Sequence, residues 1–244
     1  MRFSGGLPRV LRFGEKDLIE IEIEAAGQMA HGAHVHRGVN AIDRLRAALD
    51  ALTALRDLTP APPESITRAI AASRAISEPL SGAGEATVLS RVTVNIGRIE
   101  GGVSPNLSPA SARAAADIRL PVGVSLEAVE ASLAAALGAI EGITWRILRR
   151  FAPNHTDPAH ELVRCCVQAA TSVLGSPPAV NMRVGGSDAR WFRMRGIPTV
   201  VYGPAPHNMG GADEYVLASE LDVVARVHAL TAFAYLTAPT KGAP

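Results

Sequence analysis

Gly27-Gln28-Met29-Ala30-His31-Gly32-Ala33-His34-Val35-His36-Arg37-Gly38-Val39-Asn40-Ala41-Ile42 decides the reading of this chain. The residues that lead into it, Asp17 to Ala25, alternate strictly. Ile19, Ile21 and Ile23 fall on one side and Glu20, Glu22 and Glu24 on the other, the period of a strand with one buried face. The residues that leave it, Asn40 to Leu58, set Ile42, Leu45, Leu49, Leu52 and Leu55 along one stripe of a helix. His31 stands at the turn between them, where a side chain can be aimed outward.

The pattern continues on both sides. Thr59 to Glu64 holds three prolines and ends the helix. Val88 to Ile99 and Ala110 to Leu120 read as two strands joined by Glu100-Gly101-Gly102-Val103-Ser104-Pro105-Asn106-Leu107-Ser108-Pro109. Ser125 caps a helix through Leu137, and Ile143 to Leu148 is a fourth strand. The order β-α-β-β-α-β is that of a ferredoxin-like sandwich, with both helices on one face of the sheet. Phe151 to Asp157 is a Pro/Asn linker. Beyond it come a helix (Ala159 to Leu174), a strand near Ala179 to Met182, the loop Gly185-Gly186-Ser187-Asp188-Ala189-Arg190, a short helix, a strand (Thr199 to Tyr202) and a last helix (Ser219 to Leu236). Alternating helices and strands predict a parallel α/β layer. So few strands do not make a stable sheet covered on both faces, so this segment reads as the end of a larger domain into which the sandwich is inserted. The expected fold is therefore α/β with α+β. Its expected parts are residues 1–15 as a remnant of that domain, 16–150 as the sandwich, 151–236 as the C-terminal part, and 237–244 as a disordered tail.

The chain has 244 residues and a formal net charge of +1, and 48% of its residues are apolar. Near-neutral charge gives no reason to expect nucleic acid or a membrane surface as partner. No apolar run approaches the roughly 18 residues of a membrane helix, and Met1 to Gly14 lacks the apolar core and cleavage site of a signal peptide. Cys165 and Cys166 are adjacent on a helix and read as free thiols, which points to the cytoplasm.

Four motifs carry the candidate chemistry. His31, His34 and His36 form H-x2-H-x-H before a helix N-terminus; its partial positive charge disfavours a cation, so His34 and His36 read as solvated loop residues. Gly101-Gly102 with Asn106, followed by Asp117-Ile118-Arg119, is the second. Taken alone, Asn106 is a turn residue after Pro105 and Arg119 an outward strand residue. Gly185 to Arg190 is the third, with glycines that let backbone N–H groups approach an anion; its bland reading is a helix cap by Ser187 or Asp188. The fourth is Gly203-Pro204-Ala205-Pro206-His207-Asn208-Met209-Gly210-Gly211-Ala212-Asp213-Glu214-Tyr215-Val216.

These motifs, in this order from about Phe13 to Leu236, resemble the zinc-dependent aminoacylase family, which includes acetylornithine deacetylase, succinyl-diaminopimelate desuccinylase and carboxypeptidase G. The resemblance implies a lid/dimerisation domain inserted in a zinc-peptidase-like catalytic domain, and a homodimer formed through the lid. It implies hydrolysis of N-acyl amino acids or small peptides at two divalent ions, zinc with cobalt or manganese as alternatives. A metal-bound hydroxide would attack and a glutamate absent from this chain would shuttle the proton. His31 from a partner subunit, with Asn106, would hold the oxyanion. Arg119 and the loop residues Gly185, Gly186, Ser187, Asp188 and Arg190 would bind the substrate carboxylate.

The chain also departs from the family. In the final signature a zinc-ligating histidine lies four residues before the glutamate; here Gly210 stands there, and His207, three residues upstream, is the candidate metal ligand, with Glu214 tethering the loop. The H-x-D strand end, the later aspartate and the Glu-Glu pair that supply the other ligands have no counterpart before residue 16. His155-Thr156-Asp157 is only a look-alike, with Asp157 placed to cap the following helix. The chain is therefore expected to be catalytically incomplete by itself. Three accounts stand: a start codon placed too late, a separate chain supplying the missing half, or a decayed fragment. The competing class is a non-catalytic dimerising or ligand-binding module.

Overall fold

The computed structural model describes residues 8–238; most of the expected disordered tail and of the N-terminal remnant's first residues lie outside that range. In chain order the elements are β1 (Val10–Glu15), β2 (Asp17–Ala26), β3 (Ala30–His31), a 3-10 turn (Gly32–Arg37), α1 (Ala41–Thr53), α2 (Glu64–Ser81), α3 (Glu85–Leu89), β4 (Thr93–Gly101), β5 (Leu107–Ser108), β6 (Ser111–Leu120), α4 (Leu126–Gly138), β7 (Ile143–Arg150), β8 (Asn154–His155), α5 (Glu161–Leu174), β9 (Ala179–Arg183), α6 (Ala189–Arg193) and α7 (Ala218–Thr237). They divide into two compact units. One holds residues 16–62 and 90–153; the other holds residues up to 15, then 63–89, then 154 onward.

The first unit is the sandwich. Its four-stranded sheet has the order β4-β6-β2-β7 with every neighbour antiparallel, the strand order of a ferredoxin-like fold. Ile19, Ile21 and Ile23 are fully buried and form the core with Leu45, Leu49 and Leu52 of α1, Val129, Leu133 and Leu137 of α4, and Ile118 and Leu120 of β6. A slip of one residue would exchange the three isoleucines with Glu20, Glu22 and Glu24, so burial fixes the register. The glutamates face outward and pair across strands: Glu20 with Arg149, and Glu22 with Arg146 and Arg98. Asn40 caps α1 by accepting from the Ile42 amide at 2.9 Å, and Ser125 caps α4 by accepting from the Ala128 amide at 3.3 Å.

The second unit is an α/β layer on a three-stranded sheet, β8-β1-β9. β1 runs parallel to β9 and antiparallel to β8. Leu11 and Phe13 are fully buried; α5 packs on α7, and α2 packs on β9.

Three expectations change. The sandwich is not continuous over 16–150, because α2 and α3 belong to the other unit; the chain therefore crosses between units four times, not twice. Those helices are fastened by a buried polar cluster. Arg12 pairs with Glu85 at 3.0 Å, Asn181 Nδ2 donates to Ser77 Oγ at 2.9 Å and to Glu85 Oε2 at 3.2 Å, and Ser77 Oγ donates to Glu85. Second, Thr199 to Tyr202 is no strand but a single bridge from Val201 to Arg12. The Thr199 amide and carbonyl are taken by Thr156 and Arg193 side chains and are lost to a ladder. Third, α5 begins at Glu161 and is capped by His160, whose Nδ1 accepts from the Leu162 amide at 3.1 Å. Asp157 caps the preceding turn through Ala159.

Candidate functional site

The opening motif builds one corner of the sandwich. Gly27 is obligatory there: a Cβ would sit 2.3 Å from the Val39 carbonyl oxygen and 2.6 Å from that of Pro109. This close approach lets β3 leave the sheet and pair with β5, setting His31 opposite Leu107; the Gly32 amide donates to the Asn106 carbonyl at 2.7 Å. His31 and Asn106, 75 residues apart in sequence, thus become neighbours on the surface. His31 Nδ1 accepts from the Ala33 amide at 3.2 Å, which places the proton of the neutral ring on Nε2. Asn106 Oδ1 accepts from Ser104 Oγ at 2.5 Å, which leaves the amide NH2 outward. The corner offers donors, the polarity an oxyanion requires. His34 and His36 are exposed on the same turn, their rings 5.9 Å apart.

Arg119 is elsewhere. It lies opposite Leu18 on β2, eight residues along β6 from the end nearest the His31 corner, roughly 26 Å at strand rise. Its fork is bidentate on Asp117 at 2.6 and 2.7 Å. Beside it Lys16, fully buried, donates to the Arg91 carbonyl at 2.6 Å. Burial first, and the Arg119 charge second, lower its pKa to about 8. The structure does not bring Arg119 to the His31–Asn106 corner of the same sandwich.

The loop Gly185–Arg190 follows the carboxyl end of β9, beside the carboxyl end of β1, where open parallel sheets bind ligands. Neither Ser187 nor Asp188 caps α6 with its side chain. Ser187 Oγ donates instead to Glu15 Oε2 at 2.5 Å. Arg190 Nε donates to the Ser187 carbonyl at 2.9 Å, its guanidinium covering Gly186 so closely that a Cβ there would lie 1.8 Å from Nη2. The Asp188 carboxylate is exposed. Sequence reasoning overlooked Glu15. The available signal was the run Glu15-Lys16-Asp17 at a strand junction, three charges that are all buried.

His207 faces Tyr215, the rings stacked at 4.7 Å, and the two backbones pair. Its Nε2 is buried with no hydrogen-bond partner, a nitrogen suited to a metal. Gly210 adopts φ +76°, a conformation a histidine would resist, and its amide donates to Glu214 at 3.1 Å; Glu214 is the loop's tether. Among the described residues no group of three or more His, Cys, Asp or Glu is placed to hold a metal ion. The described residues therefore do not by themselves fit a dinuclear centre, which needs several ligands per ion.

A probable carboxypeptidase of Aspergillus terreus is 36% identical over 115 residues, 47% of this chain and 22% of that protein. One of Aspergillus fumigatus is 34% identical over 122 residues, 50% of this chain and 24% of its own length. The chain thus spans about a quarter of these relatives. An M20 family metallo-carboxypeptidase from Sulfolobus solfataricus superimposes with a TM-score of 0.72 at 16% identity, covering 93% of this chain and 61% of that one. A di-peptidase from Saccharomyces cerevisiae does so with a TM-score of 0.68 at 14% identity, over 96% and 57%. At such identities the likeness is one of fold. The model of the peptidase dimerisation domain matches residues 13–143, more than half of the chain, and the chain belongs to this family of M20 peptidase dimerisation domains.

Proposed function

We propose that this chain serves a metal-dependent hydrolase of N-acyl amino acids or small peptides, as a homodimer formed through the sandwich. The observation that carries the reading is the corner at which the β3–β5 ladder makes His31 and Asn106 backbone neighbours, with His31 Nε2–H and the Asn106 NH2 both left to donate. Donors fixed by a ladder and a cap need no reorganisation as charge develops on a carbonyl oxygen, and each is worth about 3 kcal/mol of barrier in comparable sites. The Gly185–Arg190 loop would receive the substrate carboxylate, and Arg119 would do so only by exchanging Asp117 for it. The divalent metal supplies the activated nucleophile in this class of enzyme. This chain would offer His207 to it, the described residues alone not completing a ligand set.

The absence of a three-ligand group among the described residues favours a second reading, a dimerising or ligand-binding module without catalysis. One experiment separates the two. The chain is loaded with zinc, dialysed and assayed for bound metal, then joined to a polypeptide carrying the H-x-D and Glu-Glu motifs and assayed on N-acetyl amino acids. Near-zero metal alone, and turnover of the joined protein that His31→Phe abolishes, is the expected result. No turnover in the joined protein leaves the module reading. About two ions held by the chain alone would refute the division of ligands proposed here.

A further inference from the structure

Glu15 is a buried carboxylate beside the Gly185–Arg190 loop for which the proposed chemistry has no use. It ends β1 in register with Arg183 at the end of β9, so its side chain stands at the mouth of the loop. Its side chain is 1% exposed. Four side chains converge on it: Ser187 Oγ at 2.5 Å, Arg193 Nη1 at 3.5 Å, Asn154 Nδ2 at 3.5 Å and Arg190 Nε at 4.0 Å. Three of the four belong to the loop or to α6, which it begins; the fourth belongs to β8 on the other edge of β1. A carboxylate buried this deeply stays only where donors replace its water, and every donor it has gathered is a piece of the loop or of its frame.

We propose that Glu15 is a positioning residue that sets the conformation of the Gly185–Arg190 loop. The consequence for ligand binding rests on the reading that this loop takes a substrate carboxylate. Glu15 holds Ser187 by its hydroxyl and so fixes the residue that follows Gly185–Gly186. It also attracts the Arg190 guanidinium, whose plane covers Gly186 and excludes any larger residue there. The carboxylate acts through the loop and touches no substrate.

The test uses the full chain with Glu15→Ala, Glu15→Gln and Ser187→Ala. The readouts are amide hydrogen exchange, thermal unfolding, and binding of N-acetyl-L-alanine followed at the Gly185 and Gly186 amide resonances. A hydrogen bond to a charged group corresponds to about a tenfold change in an equilibrium constant. The expected result is faster exchange, by about tenfold, confined to residues 185–190 in Glu15→Ala and Ser187→Ala, with α5 and α7 unchanged and the probe bound about tenfold more weakly. Glu15→Gln, which still accepts from Ser187, recovers most of the loop's protection. If Glu15→Ala fails to fold, Ser187→Ala and Glu15→Gln decide. Uniform acceleration across β1, β9 and the helices, or an unchanged loop in Ser187→Ala, overturns the proposal and makes Glu15 a general stabiliser. If the wild-type chain shows no shift with the probe while the variants loosen only the loop, the positioning role stands and the carboxylate reading falls.

Discussion

Glu85→Ala isolates the energetics of the segment that leaves the sandwich. The Glu85 side chain is 3% exposed and lies 3.0 Å from Arg12. Burial lowers the Arg12 pKa, and the neighbouring Glu85 charge opposes that shift; without Glu85 the guanidinium would be buried with no counter-charge. Breaking a buried ion pair from one side costs about 3–5 kcal/mol. The lower end applies here. Arg12 keeps hydrogen bonds to the Met182 carbonyl at 2.6 Å and to Ser81 Oγ at 2.9 Å, and Asn181 keeps Ser77. A loss of about 3 kcal/mol is expected. The chain's two tryptophans fall one in each unit, Trp145 on β7 and Trp191 on α6. Urea unfolding followed by fluorescence in a Trp145→Phe background therefore reports the unit that holds Glu85, and in a Trp191→Phe background the sandwich. The Trp191 transition should lose about 3 kcal/mol, and the double variant Arg12→Met/Glu85→Leu should recover part of it, because no charge is left behind. A loss below about 1 kcal/mol, the worth of an exposed pair, would show that water reaches the cluster and would refute the argument.

Other outcomes follow from the same structure. Lys16, held near pKa 8, binds fewer protons folded than unfolded between pH 8 and about 10.4. Its burial cost is complete below pH 8 and is relieved as pH rises. The sandwich should thus gain roughly 2 kcal/mol from pH 7 to pH 10 relative to a Lys16→Met variant, read by urea unfolding at Trp145; a difference that stays constant over that window rules the idea out. Gly27→Ala drives a methyl into three backbone atoms and should cost the sandwich about 2 kcal/mol or more. It should also open the Gly32 amide to hydrogen exchange; a silent substitution would mean that the His31 corner is loosely built. Ser125→Ala removes the cap of α4 and should cost about 1 kcal/mol, seen at Trp145 and not at Trp191.

The sandwich was legible because its signals are periodic. The alternation of Asp17 to Ala25 predicts β2 and its buried face, and Ser125 predicts the start of α4. What escaped was held by buried polarity. In α2 the positions facing the protein include Ser73 and Ser77 beside Ile66 and Ile70, and Glu85 of α3 is buried with them, so the apolar stripe that announces a helix is broken by polar residues satisfied internally. Pro79 inside α2 weakened the signal further. Glu15 escaped for the same reason: a carboxylate in a sequence reads as surface, and only the convergence of Ser187, Asn154 and two arginines makes it interior. The site was legible as motifs and not as an arrangement. The sequence can place His31 and Asn106 in separate loops. The β3–β5 ladder that joins them is two residues long on each side, too short for any periodic pattern to show.

The four crossings between units also limit how far a defect in one can reach the other. An inserted domain with two connections folds around its own termini. Here α1 and β4 of the sandwich are joined through the 27 residues from 63 to 89, which pack in the second unit. If Glu85→Ala releases α2 and α3, the sandwich keeps all its strands but must close a free loop of that length. Loop-closure entropy grows only with the logarithm of length, about 0.6 kcal/mol per doubling. Relative to a connection of about four residues, the penalty is roughly 1.7 kcal/mol. The Trp145 transition should therefore move by less than about 2 kcal/mol while the Trp191 transition moves by about 3 kcal/mol. Equal shifts at the two tryptophans would mean that the units unfold as one, and the packed segment would then be a joint and not a loop.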